Sequence, residues 1–455
     1  MARRRRKTFL QRYGWMGLSA LALILVVFGI VKLVGSFSRG SEQQLMPTPV
    51  PETVQEESLG AEDEPIAEDS EDADFAPDDE TEEEEAFVVP EGIEHGVFTG
   101  SRRATIRAAG DVILHAAIYK SYKTEGGYDF RDIFTPIAGS LSAADYTIAN
   151  VDGPTGGTKI RGYSEYPQFN SPPHILTALK EAGVDMLTLA NNHALDTFYD
   201  GLKYTIDNVE KAGLEHVGAY RSQEEYDTPK VIDINGIKVG ITNYTVSTNN
   251  LIKSSAKEAA EYGLRMTSNS NVKTDVERLR AYGAEIVIVC MHWGEEYVRT
   301  PNKAVINLAK KLAGVGVDVI IGGHSHVVQP AQWVKARDAE TGEEKKTLVI
   351  YSLGNFLSDQ RQQYRDGGII FEFTLQDDPA TGKVEVTNPV YVPTYVWRTK
   401  RGDGTGYDYR VIPVGEALQN KPRSMSDDVY ARLQEIANEV QQQMGRTGVG
   451  TISKS

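Results

Sequence analysis

From Arg103 onward, short apolar runs alternate with amphipathic stretches along the chain. TIRAAGD, DYTIANVDGP, VDMLTLANNH, EIVIVCMHWGEE and VDVIIGGHSH each read as a buried strand of four to eight residues that closes on polar residues. Between several of them the apolar spacing predicts helices over Pro173–Ala182, Gly201–Ala212, Val272–Tyr282 and Asn302–Ala313. Gly183, Gly213, Gly283 and Gly314 stand where a helix C-terminus favours glycine. VIDINGIKVGITNY predicts a hairpin turning at Asn235-Gly236. After Lys346 the pattern becomes strand-rich (TLVIYSLGNF, GGIIFEFTL, KVEVTNPVYVP, YRVIPV), and Ser424–Met444 reads as a last helix. Alternation of this kind predicts an α/β core.

The first hundred residues follow other rules. Tyr13 to Val31 is an uncharged, mostly apolar run of 19 residues, close to the ~20 a helix needs to cross ~30 Å of hydrocarbon. Arg3 to Lys7 and Arg12 precede it, which keeps the N-terminus cytoplasmic. A cleaved signal peptide is the competing reading, but VKLVGSFSRGS offers a poor cleavage site. Either way the rest lies outside the cytoplasm, and a single-pass cell-membrane anchor is the expectation. Between Ser41 and Pro90 there are 19 acidic residues and no basic one, with prolines at 47, 49, 51, 65 and 77 before the closing Pro90. That is the composition of a disordered tether, which would span on the order of 40 Å. The expected organisation is a basic N-terminus over residues 1–12, a transmembrane signal anchor over 13–37, an acidic linker over 38–95, a folded domain over 96–415, and a C-terminal helix and tail over 416–455. Because the linker carries much of the formal charge of -16, the folded part is only mildly acidic and nothing in it argues for nucleic-acid binding. The one cysteine, Cys290, sits in an aliphatic run and reads as core packing.

The strand ends carry the candidate chemistry. Asp111 closes the first strand, Asp152 the second, Asn191-Asn192-His193 the third, His292 the fourth, and His324 and His326 the fifth. Six of the eight histidines lie in or near these ends, all but His95 and His216. In an open α/β sheet, the loops after the strands form the functional rim. If the chain stayed extended after Ile321, His324 and His326 would share one side. Carboxylate, amide oxygen and imidazole together suit Mn, Fe, Co or Zn. A bridging carboxylate could hold two such ions about 3.5–4 Å apart, for attack on a phosphoryl group. His193 is the candidate general acid for the leaving group.

AAGDVIL, ANVDGP, LANNHALDTFYDGL, HWGEEY, GGHSHVVQP and YSLGNF, in this order, resemble the CapA-type family of poly-γ-glutamate capsule biosynthesis proteins. That family in turn looks like a branch of the calcineurin-like metallophosphoesterases, and the resemblance covers about residues 103–397. It implies a layered α/β/β/α sandwich. It also implies one metal position built by Asp152, Asn192, His292 and His324, and another built by Asp111, Asp152 and His326, with Asp152 bridging. His193 matches the histidine that phosphoesterases hold beside the scissile phosphate. Two departures stand out. Phosphoesterases open with Asp-x-His, whereas here Ile113 follows Asp111 by two; His115 is near but wrongly spaced. The capsule family usually has Glu at the Asp152 position. One firm metal and a second that is weak or absent is therefore expected.

Lesser candidates are Glu295 and Glu296 as partners of the imidazoles, Asn355 as a residue reaching the site, and Arg161 and Arg398 as anion contacts. Two functions compete. One is a surface-anchored metal-dependent hydrolase acting on a phosphoester. The other is a non-catalytic accessory subunit of a membrane complex that makes, exports or anchors an anionic polymer, with poly-γ-glutamate synthetase or export subunits as partners.

Overall fold

The computed structural model describes residues 101–451 apart from 269, 338–341, 343 and 446–449. The anchor expected at 13–37 and the linker expected at 38–95 lie outside these residues. Among the described residues no helix is long and apolar enough to cross a membrane.

Two sheets form the frame. The strands of the first are β1 (Arg103–Val112), β2 (Tyr146–Val151), β3 (Met186–Thr188) and β4 (Glu215–Val217), all parallel. The second sheet holds β5 (Val231–Ile234), β6 (Ile237–Thr245), β7 (Ile286–His292), β8 (Val319–Gly323), β9 (Ala331–Arg337) and β10 (Glu344–Ile350). The chain then returns to the first sheet through β11 (Asn355–Leu357), β12 (Gly367–Asp377), β13 (Val384–Lys400) and β14 (Tyr407–Pro413). The first sheet runs β14-β13-β12-β1-β2-β3-β4, with β11 parallel to the end of β1, and the second runs β9-β10-β8-β7-β6-β5. Parallel strands need helical crossovers and are buried on both faces. β7 accordingly reads IVIVCMH with every residue buried.

Three apolar cores give the layers. Ile106, Ala108, Ile148, Val239, Ile288, Val319 and Leu348 fill the space between the sheets. Against the outer face of the first sheet pack α1 (His174–Glu181) and α2 (Phe198–Lys211), burying Leu179, Leu202 and Ile206 on Val151 and Leu187. Against the outer face of the second pack α3 (Val272–Ala281) and α4 (Lys303–Gly314), burying Leu279, Ala309 and Leu312 on Val287, Val289 and Ile320. The mixed α/β fold expected from the pattern is thus a helix–sheet–sheet–helix stack. The Asn235-Gly236 hairpin forms as read, with both residues left-handed at φ 54° and 83°. Helix α5 (Asp427–Met444), capped by Ser426, drives Leu433, Ile436, Val440 and Met444 into the inter-sheet core. One cap differs from expectation. Gly314 is the last helical residue of α4, and Gly316, two positions on, takes the left-handed turn at φ 94°.

What joins the layers is the crossover Tyr351–Gly354, which leaves β10 in one sheet and enters β11 in the other. It fits only because two residues beside it lack side chains. A Cβ on Gly110 would lie inside the van der Waals shell of the Gly354 carbonyl oxygen, and one on Gly322 inside that of Tyr351. The same close approach lets the Asp111 amide donate to Gly354 O at 3.0 Å. Gly110→Ala and Gly322→Ala should each cost at least about 2–3 kcal/mol, since backbone cannot move aside as a side chain can. Gly415→Ala, with open space around it, should be neutral or slightly stabilising. Urea midpoints of the three variants check this.

Candidate metal centre

The parallel strands of both sheets end at one edge, and each end delivers a polar side chain there. Asp111 is the penultimate residue of β1, Asp152 follows β2, and Asn191-Asn192-His193 turn after β3. His292 is the last residue of β7, and Gly323 the last of β8. All are buried except His324 and Gly323, which are half-buried.

His324 and His326 meet for a different reason than alternation. The strand stops at Gly323, and both histidines are left-handed, at φ 88° and 57°. Such conformations cost roughly 1–2 kcal/mol each in residues with a Cβ. The turn passes directly over Asp111. A Cβ on Gly323 would come within 3.0 Å of Asp111 Oδ1, and the His324 amide donates to Asp111 Oδ2 at 3.2 Å. The two rings end 6.1 Å apart between centroids.

The donor atoms cluster tightly. His292 Nε2 lies 2.8 Å from Asn192 Oδ1, 3.1 Å from His324 Nδ1 and 3.8 Å from Asp152 Oδ1. His326 Nε2 lies 3.9 Å from Asp152 Oδ2, and its Nδ1 lies 3.1 Å from Asp111 Oδ2. Asp111, Asp152 and His326 each place a ligand atom within 4.8 Å of the others. The two carboxylates differ sharply in their surroundings. Asp111 Oδ1 accepts from Asn150 Nδ2 at 2.7 Å, and the Thr188 hydroxyl donates to Asn150 Oδ1 at 3.0 Å behind it. Both oxygens of Asp152 are buried with no donor among the described residues.

Electrostatics follow from these contacts. Burial pushes Asp152 up to about 7. Burial also acts on Asp111, but the hydrogen bond and charge of His326 outweigh it and hold that carboxyl at about 2. Burial, with a neighbouring histidine adding to it, pulls His292 well below its ordinary value and His324 down to about 4. His326 is buried too, yet Asp111 and Asp152 raise it.

This set fits a divalent cation. Ligand atoms sit about 2.0–2.2 Å from such an ion, so two of them on adjacent vertices lie about 3 Å apart. Asn192, His292 and His324 already show that spacing, and the orphaned oxygens of Asp152 face His292 and His326 at slightly greater range. A lone buried carboxylate is costly without an opposite charge.

His193 sits beside this cluster, buried, with Nδ1 2.8 Å from Asp196 Oδ2 and its ring edge-on to Phe169 at 4.8 Å. Burial pulls its pKa down, but the Asp196 hydrogen bond and the charge of Asp152 outweigh that and leave it raised. Asp196 also accepts from the Phe169 amide at 2.6 Å. Sequence reasoning passed over Asp196 and Asn150. A carboxylate three residues after a histidine and an amide inside an apolar strand were the available signals.

Other candidates lie elsewhere. Ile113 is buried and apolar, and His115 accepts from the Asp359 amide through Nδ1 at 3.2 Å, so neither joins Asp111. His174 packs its ring at a tilt against Tyr128, 5.7 Å between centroids. Glu295 is exposed and accepts from Asn302, the cap of α4. Trp293 is core, donating to Tyr351 O at 3.0 Å. Arg161 is spent on the Gln168 and Phe169 carbonyls, and Arg398 on Asp359 at 2.8 Å. Asn355 pairs with Asp111 through the backbone, while its amide donates to Arg365 O and Gln360. Cys290 packs between the sheets.

With the site in place, its kinship is plain. A family profile described as "Bacterial capsule synthesis protein PGA_cap" matches residues 105–360, more than half of the chain. The chain belongs to this family of CapA-type capsule biosynthesis proteins. Over 285 residues it is 26% identical to the capsule biosynthesis protein CapA of Bacillus anthracis, covering 61% of this chain and 65% of that one. It is 28% identical over 287 residues to the PGA biosynthesis protein CapA of Bacillus subtilis (strain 168), covering 61% and 69%. The chain thus spans just under two thirds of the first relative's length and slightly more of the second's. A probable polyglutamine synthesis accessory protein of Mycobacterium tuberculosis is 24% identical over 250 residues, covering 52% and 61%. Among solved structures, a phosphatase from Mycoplasma pneumoniae overlaps 65% of this chain and 94% of its own at 18% identity and a TM-score of 0.37. A putative 5'-nucleotidase from Staphylococcus aureus overlaps 74% and 58% at 15% identity, also at 0.37. Likeness this low says nothing about chemistry.

The Asp152 environment yields a pH prediction. Its folded pKa, about 7, lies above the ordinary ~3.9 of the unfolded chain. Between those values the folded state binds a proton that the unfolded state does not, so this group's contribution falls as pH rises through that window. His292 and His324 are shifted the opposite way and act in the opposite direction, so the difference between variants is the clean measure. In chelator, Asp152→Asn should gain stability over the parent chain progressively from pH 4 to 7, reaching on the order of 3 kcal/mol. Paired urea titrations at several pH values check the trend.

Proposed function

We propose that this chain is a membrane-anchored, extracytoplasmic protein of capsule or poly-γ-glutamate biosynthesis that carries a metallophosphoesterase-like hydrolase site. The observation that carries the reading is the pair of buried, donorless Asp152 oxygens facing His292 and His326. Asp152, Asn192, His292 and His324 hold the firm position for a Mn, Fe, Co or Zn ion. Asp111, Asp152 and His326 form a second, weaker one, because Asp111 already accepts from Asn150, His324 and the His326 ring. A divalent ion in such a site supplies Lewis acidity and a water that ionises near neutral pH. The chain's own residues do the rest. His193, oriented by Asp196 and with its pKa raised against burial by the Asp196 hydrogen bond and the charge of Asp152, hands its proton to the leaving-group oxygen. The apolar run at residues 13–37 anchors the domain, and the acidic tether carries it away from the membrane, beside synthetase or export subunits and their anionic product.

A second reading, an accessory subunit without catalysis, is favoured by one observation. Ile113 stands buried where a ligand would complete the Asp111 position. The two readings part at His193. Elemental analysis of the full chain should find about one equivalent of transition metal, lost in His324→Ala. His193→Asn should keep the metal and lose about 10²–10⁴-fold in phosphoester hydrolysis. A folded, metal-loaded chain inert toward a panel of phosphoesters would leave the accessory reading standing.

A further inference from the structure

Five arginines lie on the segments that border or support the site: Arg161, Arg299, Arg361, Arg365 and Arg398. Four of them donate to protein oxygens, although Nε of Arg161 and of Arg361 has no acceptor among the described residues. Arg161 donates to Gln168 and Phe169 carbonyls, Arg299 to Glu439 O, Arg361 to Val396 O and Ser358 O, and Arg398 to Asp359. The Arg365 guanidinium has no oxygen acceptor among the described residues. The next residue, Asp366, is committed to Arg432 at 2.9 Å.

Arg365 is nevertheless held in place. Its Cζ lies 3.4 Å over the centre of the Tyr297 ring, and its carbonyl accepts from Asn355 Nδ2 at 2.8 Å. Tyr297 is itself tied to the metal centre. Its amide donates to Ser325 O at 2.7 Å, between His324 and His326, and its ring lies 5.9 Å from that of His326. Tyr297 is 38% exposed and left-handed at φ 68°, so the chain keeps a large aromatic ring at the mouth of the site in a strained conformation. Its hydroxyl rests against Glu296 and Gln360. A guanidinium stacked on a ring keeps its in-plane donors free, and those donors match the two oxygens of a carboxylate or phosphate.

We propose that Arg365, shelved on Tyr297, is a specificity-determining residue of this site that binds an oxyanion of the substrate, phosphate or carboxylate, beside the metal centre. It rests on the reading that the site takes an anionic substrate. Arg365 forms a paired hydrogen bond to that oxyanion and selects against neutral esters. Tyr297 acts through Arg365 as a positioning residue, by contact of its ring face.

Equilibrium dialysis of the full metal-loaded chain, with inorganic phosphate and with glutarate as probes, tests this. Arg365→Gln should weaken binding of at least one probe about tenfold to a hundredfold, with metal content and melting temperature unchanged. Tyr297→Leu, which removes the ring face under Arg365, should weaken the same probe, and Arg365→Lys should fall between parent and Arg365→Gln. The probe that is lost names the group, phosphate or carboxylate. Equal affinity in parent and Arg365→Gln, or no binding of either probe by the parent, overturns the proposal. A chain that binds a probe through Arg365 but hydrolyses nothing upholds the clamp and removes only the hydrolase reading. Hydrolysis with an unchanged KM in Arg365→Gln removes only the clamp.

Discussion

A negative charge buried without a hydrogen-bond donor organises this molecule. Asp152 sits at the seam of two sheets, with both oxygens unsatisfied and three histidines and a second carboxylate around it. Protein interiors tolerate such a group only when a proton or a cation answers it. The surrounding structure supplies imidazoles that burial keeps neutral at His292 and His324, so they offer lone pairs rather than competing charge. Two histidines are held left-handed at the same place. Three unfavourable features in one small volume describe a cavity shaped for something the chain itself does not provide.

The two halves of the cluster are unequal. On the Asp111 side every acceptor is answered, by Asn150, by the His324 amide and by the His326 ring, and Thr188 steadies the Asn150 amide. Ile113, two residues after Asp111, is buried and apolar and offers no ligand atom. On the other side neither oxygen of Asp152 is answered. The asymmetry comes from ordinary packing, since an adjacent strand that carries an amide donor in register with a carboxylate satisfies it with no need of an ion.

Much of this was readable in advance, for local reasons. The strands of the parallel core are short apolar runs with polar ends, and their order alone lined up Asp111, Asp152, Asn192, His292 and the closing histidines along one rim. The hairpin and the four surface helices followed from turn residues and spacing. What sequence could not supply depends on contacts far apart in the chain. His324 and His326 were expected to share a face by extended alternation; they converge through a left-handed turn over Asp111, which no periodicity encodes. Asn150 acts on a partner 39 residues away, and Asp196, three residues from His193, is fixed by the Phe169 amide 27 residues away. Arg161, Arg398 and Glu295 looked free and are used locally. Gly316 replaced Gly314 because α4 continues to its end before turning.

The crossover at Tyr351–Gly354 has a consequence in time. β1 is among the first strands of the domain to leave the ribosome, yet one of its neighbours, β12, arrives more than 250 residues later, pairing Arg103 with Gln376. Until then β1 has an open edge, and Asp111 lacks both Asn355 beside it and the histidine turn above it. Contacts so distant in sequence form late and slowly. A nascent or truncated chain therefore cannot assemble the cluster piecemeal. The full donor set exists only once the chain has been made at least through His326, so a half-built chain holds only part of the cluster.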